Sequence, residues 1–301
     1  MLLFGASGFL GAQVRAALER ERSVEWVTCV ARDRCDLVAA SVEGLASLLR
    51  ELTPNAVVNC TGSLDGTGYQ LMLANTLVTA KLIDAVESVD PAIRLIRLGS
   101  AGEYGRVPFG RSVTEDDPAV PVSEYGLSHL AATRLVEFAG ASGRVDGVTL
   151  RVFNPIGPGL RGETLLGRAA ARLRDALVDG AEVVTMGPLT AHRDFVDARD
   201  VARAVVAAVL VPSVPARVVN VGSGRAVTAR EAVELLARAA AFTGEIREAG
   251  PPSARSAAVD WIRADITRAA EGLGWRPTHD LTDSVQAIWT TRSTAGVGGR
   301  R

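Results

Sequence analysis

Three side chains in this sequence have the types and spacing for proton chemistry at an oxygen atom. Ser100 lies in the stretch Gly99-Ser-Ala-Gly-Glu-Tyr-Gly105. Tyr125 and His129 lie in Tyr125-Gly-Leu-Ser-His129, at the start of a long helical pattern. Four residues apart, a phenol and an imidazole share one helix face. A phenol gives a proton to a developing alkoxide, a serine hydroxyl stabilises that oxygen, and a third group tunes the phenol. Such a set suits reduction of a carbonyl, provided a hydride donor can be held beside it.

The N-terminal stretch has the pattern for holding one. Leu2–Phe4 is a short apolar strand, and Gly5-Ala-Ser7-Gly8-Phe9-Leu10-Gly11 follows it directly and opens a helix. In that setting the first glycine makes a tight turn, the second lets backbone approach a pyrophosphate, and the third lets helix pack on strand. The helix N-terminus adds unpaired N–H groups and a partial positive charge for phosphate. The second strand ends in Val30-Ala-Arg32-Asp-Arg34. An acid there reads the ribose of NAD, whereas an arginine suits the 2′-phosphate of NADP. Ala31 falls where the acid would stand. Arg32 and Arg34 therefore point to NADP, and Asp33 leaves NAD possible.

Alternating strand and helix patterns must position these groups. Strands are expected over 2–4, 26–31, 56–60, 94–98 and 147–153, with helices over 12–21, 42–52, 69–86 and 124–141. This alternation predicts an α/β fold, a Rossmann-type doubly wound parallel sheet, with Ser100 and Tyr125 meeting at its C-terminal edge. Beyond Phe153 the rhythm changes. Further helices are expected over 164–178, 200–210, 228–242, 265–273 and 281–291, and strands over 182–186 and 217–221. The expected division is a dinucleotide-binding domain over 1–155, with 189–221 returning to it. Residues 156–188 and 222–292 form a smaller C-terminal substrate-binding lobe, and 293–301 a disordered tail.

Composition narrows the class. Of 301 residues 48% are hydrophobic, enough for a sizeable core. Lys+Arg 33 against Asp+Glu 34 leaves a net charge of −1, with no field to attract nucleic acid or an anionic membrane. No apolar run suits a bilayer span and no signal peptide precedes the first strand, so a cytoplasmic protein is expected. Cys29, Cys35 and Cys60 cannot pair completely and read as reduced thiols. His192 and His279 have no Cys/His/Asp cluster around them, so no metal is expected. Lys81 is the only lysine.

The ordered series Gly5–Gly11, Asp36-Leu37, Asn59-Cys-Thr-Gly62, Asn75, Gly99–Gly105, Tyr125–His129, Arg151–Gly159, His192-Arg-Asp-Phe195, Val218–Gly224 and Ala264-Asp265 resembles the extended short-chain dehydrogenases/reductases. More narrowly it resembles their NAD-dependent epimerase/dehydratase group, over roughly 2–289. The resemblance implies a cofactor held by Gly5, Ser7, Gly8, Phe9, Leu10 and Gly11 at the pyrophosphate, and by Asp36 and Leu37 at the adenine. Cys60, Thr61, Gly62 and Asn75 would lie along it. Ser100, Tyr125 and His129 would be catalytic, with Tyr125 and His129 also touching cofactor. The implied substrate is a nucleotide sugar, bound by Ser100, Glu103, Asn154, Arg193 and Arg255, since guanidinium forks match phosphate oxygens. A homodimer through 69–86 and 124–141 is implied as well.

Two departures matter. The family pattern is Tyr-x-x-x-Lys, and here the last position is His129. An ordinary imidazole, with a pKa of about 6.5, is mostly neutral at pH 7. It can bond a ribose but lowers a phenol's pKa less than a lysine does. Either His129 substitutes with slower or acid-shifted turnover, or the reaction needs only proton donation and tolerates it, or redox turnover is lost and a cofactor-binding or non-redox protein remains. Dehydratases of the group carry an acid where this chain has Gly102, which argues against dehydration. The Glu103-Tyr104-Gly105 form looks like the reductases of nucleotide-linked 4-keto-6-deoxy sugars. The expected activity is NADP-dependent reduction of such a sugar with Tyr125 as proton donor, with a nucleotide-sugar 4-epimerase as the alternative.

Overall fold

The computed structural model describes residues 1–214, 216–250 and 259–291. The tail expected over 293–301 lies outside them. In chain order the strands are β1 (Leu2–Phe4), β2 (Thr28–Val30), β3 (Ala56–Asn59), β4 (Arg94–Ser100), β5 (Asp146–Val152), β6 (Pro155–Ile156), β7 (Val183–Met186), β8 (His192–Asp194), β9 (Val196–Asp197), β10 (Val218–Val221), β11 (Ala226–Thr228) and β12 (Glu245–Glu248). The helices are α1 (Phe9–Arg20), α2 (Val42–Leu52), α3 (Gly68–Leu71), α4 (Val78–Val89), α5 (Glu124–Ala141), α6 (Leu165–Asp179), α7 (Ala198–Leu210), α8 (Ala229–Ala239), α9 (Thr267–Leu273) and α10 (Leu281–Thr290).

Six strands pair in parallel in the order β10-β5-β4-β3-β1-β2. Successive side chains on a strand point to opposite faces, and here both faces are covered. Leu3, Val58, Ile96 and Val148 pack with Val14 and Leu18 of α1 and Val201 and Val205 of α7. Leu2, Phe4, Val57 and Leu95 pack on the other side with Leu45 and Leu49 of α2, Leu82 and Val86 of α4, and Val136 of α5. From β1 the chain steps outward to β2, then crosses back to place β3 on the far side of β1. The winding reverses there, so the C-terminal ends of β1 and β3 open the crevice that such sheets use for ligands.

Helix starts agree with the sequence. Side-chain oxygens of Ser41, Ser123, Thr164, Asp197, Thr228 and Asp280 each accept a first-turn N–H. α1 is different, because Gly8 stands at its N-cap without a side-chain acceptor. The single helix expected over 69–86 is three pieces, α3, a π turn over Met72–Leu77, and α4. The wider turn carries Asn75 and Thr76, both of which bond α5. Such turns recur at functional sites.

A second core, around Leu166, Leu173, Leu236 and Ile288, joins α6, α8 and α10 with β7. Two boundaries differ from expectation. Leu189 belongs to this second core, and the return to the sheet begins at Val196. Ala269, Leu273 and Trp275, expected in the smaller lobe, pack instead in the sheet's core. There the Trp275 Nε1 donates to the Asp200 carbonyl at 3.0 Å, which satisfies the buried indole.

Candidate active site

The first loop is shaped by contacts that only glycine permits. Gly5 has φ +79°, and a Cβ on it would lie 2.8 Å from the Cys60 carbonyl carbon. A Cβ on Gly11 would lie 1.9 Å from the Gly5 oxygen. The Gly8 N–H donates to that same oxygen at 3.0 Å. With Ser7 and Gly8 exposed and no side chain capping α1, the helix start is open to an anion. This cradle fits the pyrophosphate of a dinucleotide.

Beside it, the Thr61 N–H and hydroxyl both donate to Asn59 Oδ1, at 2.9 and 2.6 Å. The backbone of Cys60 backs the Gly5 turn, and burial pushes its thiol up to about 12, so it stays protonated. Asn75 was expected to contact cofactor, but its polar atoms are engaged within the protein. Its Oδ1 accepts from the Ser63 N–H at 2.8 Å, and its Nδ2 donates to the Ser63 carbonyl and to Ser128 Oγ at 3.1 and 3.0 Å. Asn75 therefore fixes the Gly62–Ser63 backbone against α5.

At the end of β2, the exposed Arg32 donates to Asp36 Oδ2 at 3.2 Å, and Arg34 to Glu51 at 2.8 Å. The Val38 N–H donates to Asp36 Oδ1, and with Arg32 it holds that carboxyl below its usual range. The Leu37 side chain is buried in the core. The lone lysine explains this turn's shape. Lys81 Nζ donates to the carbonyls of Leu37, Val38 and Ala40 at 2.6, 2.9 and 2.8 Å.

Ser100 and Tyr125 do come together. The Ser100 Oγ accepts from the Gly102 N–H at 3.1 Å, which leaves its own proton to donate elsewhere. A Cβ on Gly102 would lie 3.3 Å from Ser100 Oγ and 3.4 Å from Tyr125 Cε1. Hydroxyl and phenol ring thus close on one point, and position 102, where a dehydratase keeps its acid, faces that point with no side chain. One turn along α5, the His129 ring lies 4.6 Å from the Tyr125 ring, centroid to centroid. The π turn pins this stretch, because Thr76 Oγ1 donates to the Ser128 carbonyl at 2.7 Å.

His129 is buried, and sequence reasoning missed its partner. Arg97 Nη2 lies 2.9 Å from His129 Nδ1, and Arg97 Nη1 donates to Thr133 Oγ1 at 3.2 Å. Arginine keeps its proton, so Nδ1 must be the acceptor. Burial pulls the His129 pKa well below its ordinary value, and the Arg97 charge pulls it the same way. Both effects, and the guanidinium donating to Nδ1, favour the neutral imidazole. A signal was present in the sequence: arginines inside the central strands at 97 and 151, where apolar residues are the rule.

Glu103 also corrects an expectation. It was assigned to substrate, yet it is fully buried beneath the site. Its Oε1 accepts from the Ser100 N–H at 3.0 Å and its Oε2 from Arg151 Nε at 2.7 Å. The Arg151 guanidinium lies 4.7 Å from the Tyr104 ring centre, and the Tyr104 hydroxyl donates to Asn220 Oδ1 at 2.7 Å. Glu103 fixes Ser100 from below and cannot touch a sugar above it.

A cleft of about 1240 Å³ opens between the sheet's edge and the smaller lobe, lined by Phe9, Asn154, Arg161, Arg168, Arg172 and Arg193 among others. Ser100 and Tyr125 are not among its lining residues; the link to it is along the chain, where Ser100 pairs with Val152, two residues before Asn154. Asn154 has φ +26°, a conformation rare outside glycine. Its Nδ2 donates to the Asp194 carbonyl at 3.0 Å. Asp194 itself accepts from Ser223, Gly224 and Ala264, so the acid of His192-Arg-Asp ties β8 to two loops. Arg193 reaches the cleft as expected, whereas Arg255 lies outside the described residues. The arginines at 161, 168 and 172 were not foreseen. Among the described residues no three His, Cys, Asp or Glu side chains gather as a metal site, and no helix is long and apolar enough to cross a membrane.

The profile of the NAD dependent epimerase/dehydratase family matches residues 1–222, and the chain belongs to that family. The chain is 42% identical over 264 residues to the dTDP-6-deoxy-L-talose 4-dehydrogenase (NAD(P)(+)) of Kitasatospora kifunensis, covering 87% of this chain and 83% of that one. Among solved structures it resembles RMD from Pseudomonas aeruginosa complexed with NADPH, with a TM-score of 0.82, 26% identity and 96% of each chain covered. It resembles MoeE5 in complex with UDP-glucose and NAD to a similar degree, with a TM-score of 0.81, 27% identity, and 96% and 97% covered.

Proposed function

We propose that this protein is an NAD(P)-dependent reductase of a nucleotide-linked 4-keto-6-deoxy sugar. The observation that carries this reading is the closure of Ser100 Oγ and the Tyr125 ring on one point beside a side-chain-free position 102. When bound, the reduced nicotinamide supplies the hydride. Tyr125 gives its proton to the carbonyl oxygen, and the Ser100 hydroxyl, already turned outward by the Gly102 N–H, holds that oxygen as charge develops. Arg193 and the α6 arginines Arg168 and Arg172 offer the cleft guanidinium forks for a nucleoside diphosphate, beside the lining acids Glu163, Asp175 and Asp260. Asn154, fixed in its unusual backbone, faces the sugar. The relative named for 4-dehydrogenation of a dTDP-6-deoxy sugar supports position 4 as the reacting carbon.

NADPH is the preferred donor in this reading, because the exposed Arg32 guanidinium can turn from Asp36 to a 2′-phosphate. The protein acts as a homodimer through α3–α4 and α5, whose Tyr69, Leu77, Leu127 and Phe138 are exposed.

The test is loss of nicotinamide absorbance with NADPH or NADH and a panel of nucleotide 4-keto-6-deoxy sugars, dTDP-linked first. Stoichiometric oxidation with one sugar supports the reductase. Interconversion of a 4-hydroxy sugar nucleotide without net change in absorbance would replace it with the 4-epimerase. Arg32→Ala should raise the KM for NADPH about tenfold and leave that for NADH nearly unchanged. Equal effects would point away from a 2′-phosphate contact.

A further inference from the structure

We propose that Arg97 is a positioning residue of this site, a buried cation bonded to His129 that supplies from the sheet the charge a lysine at position 129 would supply from the helix. The inference rests on Tyr125 being the proton donor.

The geometry is specific. Arg97 pairs with Thr149 on the strand face that also carries Gly99 and Arg151, so its side chain enters the layer between sheet and α5. It is 3% exposed and bonds two side chains of α5, His129 and Thr133. Because Arg97 donates to Nδ1, the neutral imidazole carries its proton on Nε2. His129 is thus held as an uncharged N–H donor on the same helix face as Tyr125.

The charged groups around this pair are few. From the sheet and the turn after it come Arg97, Arg151 and Glu103, two cations against one anion. From α5 comes Tyr125, whose ionised form attracts Arg97. The π turn packed on α5 contributes Met72, Leu73, Ala74, Asn75, Thr76 and Leu77, none of them titratable. One surplus positive charge therefore lies buried under the phenol. It accounts for the missing lysine: a second cation at 129 would stand against a guanidinium from which water is excluded, whereas a neutral imidazole fits beside it.

The test is a titration of the Tyr125 phenol by ultraviolet difference absorbance. It needs no sugar, so failure of the reductase reading and failure of this one are separate results. The chain has three tyrosines. Burial pushes Tyr104 to about 12, Tyr69→Phe removes the exposed one, and the step that disappears on further Tyr125→Phe substitution is assigned to Tyr125. In the Tyr69→Phe background Arg97→Gln, which keeps an N–H donor but no charge, should raise the Tyr125 midpoint by about one pH unit or more. Arg97→Lys should hold it near the parent's value, and Arg97→Gln with His129→Lys should bring it back. A midpoint unmoved by Arg97→Gln, or moved equally by Arg97→Lys, overturns the proposal. If Arg97→Gln alone does not fold, melting temperatures decide. His129→Lys should melt below the double variant, because only the single variant keeps two buried cations in contact. The reverse order overturns the proposal.

Discussion

Replacing His129 with glutamine should remove a pH dependence of stability that can be worked out in advance. Glutamine can still accept from Arg97 through its side-chain oxygen, but it cannot take a proton. In the folded protein the imidazole pKa lies well below its ordinary value, because of burial first and the Arg97 charge second. In the unfolded chain it returns to about 6.5. Between those two values the unfolded chain binds a proton that the folded one does not. Stability is therefore present above about pH 6.5 and falls as the pH drops below it, by at most about 1.4 kcal/mol per pH unit for one proton. From pH 7.5 to pH 5 one proton sets an upper bound of about 2 kcal/mol on the accumulated loss. Denaturant midpoints of parent and His129→Gln, taken at intervals from pH 7.5 to 5, give the difference directly. The carboxylates, His192 and His279 are common to both proteins and cancel. A difference that grows toward pH 5, up to that bound of about 2 kcal/mol, fits the reasoning. Parallel curves would refute it, because they would mean that folded His129 accepts a proton as readily as a solvated imidazole.

Glu103→Gln should cost about 3–5 kcal/mol, since it leaves Arg151 and Arg97 buried without their anion. A thermal melt within a degree or two of the parent would contradict that. Gly11→Ala should weaken NADPH binding at least tenfold, read by cofactor fluorescence, because its Cβ would stand 1.9 Å from the Gly5 oxygen and force the loop open. Retained affinity would show that the loop can shift. Tyr125→Phe should slow turnover by about 10²–10⁴-fold with cofactor affinity nearly unchanged. Turnover within a few-fold of the parent would remove Tyr125 from proton transfer.

Period and punctuation made the sheet readable, but they did not make the buried charges readable. The helices over Val42–Leu52 and Glu124–Ala141 and the cap at Thr228 fall where their patterns place them, because each combines an apolar stripe with a capping residue. The π turn was invisible, since an i to i+5 turn shifts periodicity by a single residue inside a continuous helical pattern. α9 was assigned to the wrong lobe because a short apolar helix does not say which of two cores it joins. Ser100 and Tyr125 were legible because spacing and strand order alone bring them to one edge. Glu103 was misread because being next to a catalytic serine in sequence does not fix the direction of a side chain. It turns down to Arg151 rather than up to the cleft. Arg97 escaped because its role appears only when β4 and α5 are stacked, and nothing local in Arg94–Ser100 names a partner 32 residues away.

The cage around Lys81 has a practical consequence. Every other basic side chain is an arginine, so amine-acylating reagents find one lysine, and its nitrogen already faces three carbonyl oxygens. Its nucleophilic lone pair is exposed only when the 37–40 turn lets go and the ammonium loses its proton. Acylation of Lys81, followed by mass spectrometry, would then act as a clock for the opening of a single turn beside the cofactor crevice. A ligand that tightens the turn would slow the clock, and no substitution is needed to read it.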